Sequence, residues 1–437
     1  MASVPIPATA ATSPVSKWSV LPLAALALTM LVGFTVMGSF GTLQESAKAE
    51  MGLSDYALSI ITGLSAALPM ALFSIPIGIM VDRVHRVRLM LVLAAIWTLG
   101  SLLTAFAPSA PVLFAARMMT GIGTTGALTA ALSIAADVCR PEQRGRAMLI
   151  VNLGKVGGIA AAFALVGALF GMFSKPGFAP FGDMAPWRGI HVALTILALV
   201  LMLPVTLLRE PARREVLSSV HAPARVIAGE LWARRAFLIP LFLGQTSVVM
   251  ADASANIWAA PVLSRVYGLT PDQFAGWVGA VLLGTGILGA ILGGIAADIG
   301  QKSGRRGGLL IGAVFAAALG VPAALFPVMP DVTSFAVAFG TLALCGTVTG
   351  LIASVALTVL IPNELRGLCI GAFIAFAGIV GFGLAPVLVA FVSDMMGGET
   401  HLGTALAAVG TTVSIMSVIA FAFAVRHAPA SATAEPI

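Results

Sequence analysis

The sequence predicts an all-α membrane protein, with twelve transmembrane helices in two pseudo-symmetric six-helix halves. Three observations carry that prediction. The 437-residue chain is 59% hydrophobic and only 10% charged, where a soluble domain carries about 25% charged residues. Its mean hydropathy is +1.03. Apolar runs close to the ~20 residues that cross a bilayer as a helix recur along its whole length. Forty-seven glycines fit the same class, because small residues let membrane helices approach closely.

The first six spans are expected at 18–40, 57–81, 89–107, 112–137, 147–173 and 189–208. A polar linker over 209–235 divides the chain. The second six follow at 236–262, 273–297, 308–327, 333–360, 367–392 and 403–425. Residues 1–17 and 426–437 read as disordered tails. The segment from Trp18 has no clear small-residue cleavage site, so it reads as an uncleaved first helix.

Charge sets the orientation. With both termini in the cytoplasm, 18 of the 24 Lys and Arg fall in cytoplasmic segments. That bias is the one that holds basic loops inside, and it places the chain in a cell inner membrane. It also accounts for the net charge of +6 without a nucleic-acid partner. Cys139, Cys345 and Cys369 lie in apolar segments with no metal-ligand spacing and read as packing residues. The five histidines are scattered, so the sequence predicts neither an enzyme nor a cofactor site.

The halves echo each other. Gly78, Asp82, Arg83 and Arg86 close the second span, and Gly294 and Asp298 close the eighth, followed by Arg305 and Arg306. The loop after the fourth span runs from Pro141 through Arg144 to Gly145. The loop after the tenth runs from Pro362 through Arg366 to Gly367. Related six-helix halves are a plan of alternating-access carriers.

The pattern of Gly78, Asp82, Arg83 and Arg86 between the second and third spans resembles the signature loop of the major facilitator superfamily. Arg117, Gly121 and Gly123 resemble that superfamily's fourth-helix motif. The resemblance covers about 18–425 and implies a secondary transporter. It implies a cytoplasmic gate at Gly78, Asp82, Arg83, Arg86, Asp137, Arg144, Asp298 and Arg366. The plain alternative is that these charges only anchor loops in the headgroup region. Asp137 is expected to pair with Arg83 or Arg144. At Asp298 the repeat departs from the pattern, with Ile299 where an arginine is expected.

Polar residues inside the spans mark the candidate site. Asn152 and Lys155 share a face of the fifth span, and a lysine at that depth should face a cavity or a partner. Gln245, Asp252 and Asn256 form a stripe on the seventh, followed by Trp258. Asp252 is the lone carboxylate placed deep in a span, which makes it the candidate proton carrier. The alternatives are an ion pair between Lys155 and Asp252, a helix-to-helix hydrogen bond for Asp252, and snorkelling for Arg117.

Gly52, Asp55, Trp187, Arg188, Arg209, Pro211, Arg213, Trp258 and Arg265 lie in stretches similar to the spinster and metabolite-symporter branches. Thr124 departs from the acidic residue of spinster-like proteins. The drug-antiporter pattern in the fifth span lacks its proline at Ile159. The expected cargo is a small, anionic organic metabolite coupled to protons, carried by a monomer. The alternative is export of drugs or lysolipids.

Overall fold

The computed structural model describes residues 20–139, 143–211 and 224–429. The N-terminal tail, residues 140–142, the linker residues 212–223 and residues 430–437 fall outside these, and the C-terminal tail expected from 426 begins inside a helix that runs to His427.

Twelve helices are long and apolar enough to cross a membrane. In the first half they are α1 (Val20–Met51), α2 (Asp55–Arg83), α3 (Arg86–Ala105), α4 (Ala110–Val138), α5 (Arg144–Phe173) and α6 (Pro186–Thr206). A short linker helix spans Ala224–Ala233. The second half holds α7 (Arg235–Arg265), α8 (Pro271–Lys302), α9 (Gly308–Ala323), α10 (Val332–Leu360), α11 (Cys369–Met395) and α12 (Leu402–His427).

Local chemistry sets the helix starts. The Ser54 hydroxyl accepts from the Ala57 N–H, and Asp331 accepts from Ser334. Thr270 and Gln273 form a reciprocal capping box with Pro271 at the first helical position. Each arrangement satisfies N–H groups that a helix start leaves unpaired. Gly52 and Gly268 end α1 and the α7 turn with positive φ, at 63° and 67°, a conformation glycine adopts without strain.

The packing pattern repeats with an offset of six. Helix α3 packs on α4 and α6, as α9 packs on α10 and α12. Helix α2 packs on α4 as α8 does on α10, and α1 on α6 as α7 does on α12. The halves meet along two seams, α5 against α8 and α2 against α11. Outward faces keep their apolar side chains exposed, as at Leu203, Phe315 and Val337. No water-soluble exterior carries that pattern, whereas lipid tails solvate it.

Glycines set the closest approaches. A Cβ on Gly158 of α5 would lie 2.5 Å from the Leu31 carbonyl oxygen of α1, and one on Gly279 of α8 would lie 2.6 Å from that of Ala160 on α5. Two π-helical turns, Ile60–Leu64 in α2 and Gly378–Leu384 in α11, lie against each other. There a Cβ on Gly63 would come within 2.5 Å of the Phe382 carbonyl oxygen. The alternating crossings put the linker helix and the loop after α2 on one side, the linker face. The turns after α1, α7 and α11 lie on the other, the far face.

Candidate functional site

The site is built from charges that the helices hold at three depths. At mid-depth, α5 carries Lys155. Its side chain is partly buried and its ammonium stands 5.5 Å from the centroid of the Phe34 ring on α1. Among the described residues it has neither an ion pair nor a hydrogen bond, so the aromatic face is its one close electrostatic contact. Asn152, one turn toward the linker face, is exposed and donates to its own helix at the Met148 carbonyl, 2.9 Å away.

Across the molecule, α7 presents Asp252 partly buried, with no basic partner among the described residues. The ion pair between Lys155 and Asp252 weighed from the sequence is not formed. Asn256 donates to the Asp252 backbone carbonyl at 2.8 Å. Gln245 is buried beside Gly350 of α10, its Oε1 without a partner. Trp258 is fully buried, its indole N–H on the Pro386 carbonyl at 3.2 Å. It packs α7 onto α11 and lines no open space.

Arg117 on α4 does not snorkel. It is 5% exposed, and its guanidinium donates to the Val36 and Met37 carbonyls of α1. It also stands 5.4 Å from the Phe40 ring centroid. Its Nε has no partner, and no carboxylate neutralises it among the described residues. Among the described residues, Lys155 and Arg117 are thus cations inside the N-terminal half without a carboxylate partner, and Asp252 is a carboxylate inside the C-terminal half without a basic one.

At the linker face, Arg86 is the organising charge. It is 2% exposed and reaches Asp137 at 2.5 Å and Glu210 at 2.8 Å. It also donates to Ser133 and to the Pro211 carbonyl. Asp137 thus pairs with Arg86, where the sequence reading expected Arg83 or Arg144. The reason is spatial: Arg86 opens α3 beside the end of α4, while Arg83 points outward and is exposed. Arg144 instead donates to the Ala136 carbonyl at 3.3 Å. Burial alone would raise the Glu210 carboxyl, but hydrogen bonds from Arg86 and the Val87 N–H hold it below the usual carboxylate range.

Asp82 and Asp298 are exposed. Gly78 has no neighbour within 4 Å of where a Cβ would stand, so no helix approaches closely there. The Arg366 side chain lies outside the described ones.

The far face holds a cluster the sequence reading did not assemble. Arg265 at the end of α7 grips Glu45 of α1 at 2.7 Å and 2.9 Å, and Asp55 of α2 at 2.7 Å through both terminal nitrogens. Lys48 binds Asp55 at 2.7 Å and also Glu399, which precedes α12. Gln44 donates to the Ile257 carbonyl at 2.5 Å. Hydrogen bonds and ion pairs join the two halves at this face. The first span was expected to end at 40, but α1 runs eleven residues further. That extension turns apparent loop charges into fixed partners of α7. The signal available was the set of i, i+3 and i+5 charges at Glu45, Lys48 and Glu50, which helical spacing places on one end of a rigid rod.

The profile of the Major Facilitator Superfamily matches residues 25–383. The chain belongs to this superfamily. It is a transporter and a multi-pass membrane protein. Over 388 residues it is 28% identical to a probable 4-methylmuconolactone transporter of Cupriavidus pinatubonensis, covering 86% of this chain and 80% of that one. A shorter stretch of 103 residues is 35% identical to a 3-(3-hydroxy-phenyl)propionate transporter of Escherichia coli K12, covering 24% and 25%. In fold it resembles a bacterial homologue of the human lysosomal transporter Spinster, in an inward-facing, unoccupied conformation. The TM-score is 0.76 at 23% identity, over 94% of this chain and 97% of the other. The nucleoside transporter NupG aligns at a TM-score of 0.68 and 14% identity, covering 92% and 98%.

Proposed function

We propose that this superfamily member imports a small organic anion, an aromatic or ring-derived carboxylate, together with protons by alternating access. The observation that carries the reading is Lys155. It is a mid-membrane cation without a protein counter-ion, and the cost of such a charge is offset when an anionic cargo supplies the partner. Arg117 adds positive potential to the same half, Asn152 lies one turn along the Lys155 helix, and the Phe34 ring beside Lys155 suits a planar cargo. The relatives named for a muconolactone and for a phenylpropionate support this chemistry.

Asp252 is the proton carrier in this reading, with Gln245 and Asn256 on the same stripe. A deep carboxylate with no cation beside it is neutral when protonated and costly when charged, so proton binding and conformational exchange are linked. The positive-inside bias puts the linker face and both termini in the cytoplasm of an inner membrane. In this reading the contacts at the far face hold the periplasmic side closed. The linker-face charges, including Arg86, Asp137, Asp82, Arg83, Arg144, Asp298 and Arg366, form the opposing gate. The carrier works as a monomer.

The test is uptake into proteoliposomes under an imposed pH gradient. Radiolabelled 3-(3-hydroxyphenyl)propionate, benzoate and a muconolactone are compared with a nucleoside and a lipophilic cation. A carboxylate should accumulate only with the gradient, and Asp252→Asn should abolish accumulation while sparing exchange. Gradient-driven expulsion of the lipophilic cation, with no carboxylate uptake, replaces this reading with export.

A further inference from the structure

Between α7, α9, α10 and α12, the C-terminal half holds a small hollow of mixed polar and apolar lining. Its volume is about 10 Å³, enough for the centre of one water molecule and too small for cargo. Asp252 lines it from α7, Thr349 from α10, and Ser414 and Ser417 from α12. Gly346 makes the opening: a Cβ there would stand 3.5 Å from the Asp252 Oδ1, so the carboxylate looks into the hollow past a bare backbone.

Ser417 is the telling residue. Hydroxyls on these helices ordinarily donate back to a carbonyl one turn earlier. Thr285, Thr412 and Thr349 do so, at 2.8, 2.8 and 2.9 Å. Ser417 is 1% exposed and its hydroxyl has no partner at all. A buried hydroxyl left unsatisfied is costly, and a buried water typically takes two to four polar partners. The carboxylate, the Ser417 hydroxyl and the second lone pair of Thr349 supply that number.

We infer that one ordered water occupies this hollow and bridges the Asp252 carboxylate to Ser417 and Thr349, which makes Ser417 a positioning residue for proton release. The inference rests on Asp252 being the proton carrier. When Asp252 loses its proton to solvent, the enclosed water donates a hydrogen bond to the new carboxylate and is itself neither consumed nor ionised. When the proton returns, the same water accepts from the carboxyl O–H.

No other charge takes this role. Within their membrane-spanning segments α9 and α12 bring no ionisable side chain to Asp252. Helix α10 brings only the Cys345 thiol, α11 carries Cys369 near the start of α7, and α1 has no charge before Glu45. Lys155 faces from α5 in the other half.

Infrared spectroscopy of the full chain in lipid nanodiscs reads both parts of the inference. The Asp252 carboxyl band is assigned by its loss in Asp252→Asn and titrated with pH. The enclosed water is assigned by an O–H band that shifts in H₂¹⁸O. Ser417→Ala and Thr349→Val should each weaken the water band and move the carboxyl midpoint upward by roughly one pH unit, because the anion loses hydration. Ser417→Thr, which keeps the hydroxyl, should restore both. An unchanged water band and midpoint in both Ser417→Ala and Thr349→Val overturn the inference. If instead the bands respond as expected but Asp252→Asn still couples uptake to protons, the water stands and the assignment of the carrier falls.

Discussion

Lys155 and Asp252 are ionisable side chains whose placement inside a span is costly, and each has a different remedy. A lysine at neutral pH does not shed its charge as readily as a buried carboxylate takes up a proton, so it is best served by a bound anion. Lys155→Ala should therefore raise the KM for the transported carboxylate by about tenfold, the loss of roughly 1.4 kcal/mol of binding. Thermal stability should stay near wild type, since no protein partner is left behind. An unchanged KM removes Lys155 from the site. These two residues were legible from sequence because an ionisable group inside an apolar span has few innocent explanations. Glu210 was not, because in sequence it is one charge among many in a polar stretch. Only the fold shows that it reaches back to Arg86. The Glu210 carboxyl is held below its usual range in the folded protein, so its contribution is present above about pH 4.3 and lost as pH falls through the folded value. Thermal melts from pH 7 to pH 3 should show a loss of stability at the acid end that is smaller in Glu210→Gln. Arg86→Ala should cost about 3 kcal/mol at neutral pH, because it strands two carboxylates at once.

At the scale of the helix, the spans themselves were the legible part. Long apolar runs are their own signal, and the twelve helices match the expected segments in number and order. What sequence missed was where α1 stops and how α2 and α11 bend. Hydropathy ends a span where charges begin, but backbone hydrogen bonds continue through Glu45, Lys48 and Glu50 once those side chains find partners. The π-helical turns have no compositional mark beyond glycines that are common throughout this chain. Their contact does have a consequence that can be measured. Gly63→Val would drive a side chain into the Phe382 carbonyl and should part α2 from α11. Gly158→Val would do the same to α1 and α5, within a single half. The second should cost about 2 to 3 kcal/mol in a melt, the usual price of overpacking. The first should leave stability closer to wild type while loosening the seam between halves, which two introduced cysteines at its far-face end would register as slower cross-linking.

For the whole molecule, the decisive feature is the set of polar bonds that joins the halves at the far face. The linker-face network around Arg86 stays within the first half, so it stiffens that half without joining it to the other. Arg265→Ala removes the residue that grips Glu45 and Asp55 across the divide. A change of about 1.4 kcal/mol shifts a two-state population tenfold. Spin labels on the far-face turns at Gly52 and Gly268, in a background lacking the three native cysteines, should show a longer distance in Arg265→Ala than in wild type. Identical distance distributions would mean that apolar packing alone holds the far face shut. The far-face cluster was beyond sequence reading, since Glu45 and Arg265 lie 220 positions apart and nothing local links them.

The cluster at the far face holds three carboxylates, Glu45, Asp55 and Glu399, against two cations, Lys48 and Arg265. While the halves are joined, the surplus negative charge is tied up among short contacts. Once they part, Glu45, Lys48 and Asp55 stay on the lip of the first half with a net charge of minus one, and Arg265 and Glu399 cancel on the other. If the cargo is the organic anion proposed above, this mouth is mildly hostile to it, while the attraction lies deeper, at Lys155. Dissolved salt screens the exposed lip more strongly than the enclosed lysine, so added salt should speed the first encounter with cargo even as it weakens the final grip. Selectivity of this kind acts on the rate of arrival, and it turns the lock of the resting carrier into the sieve of the open one.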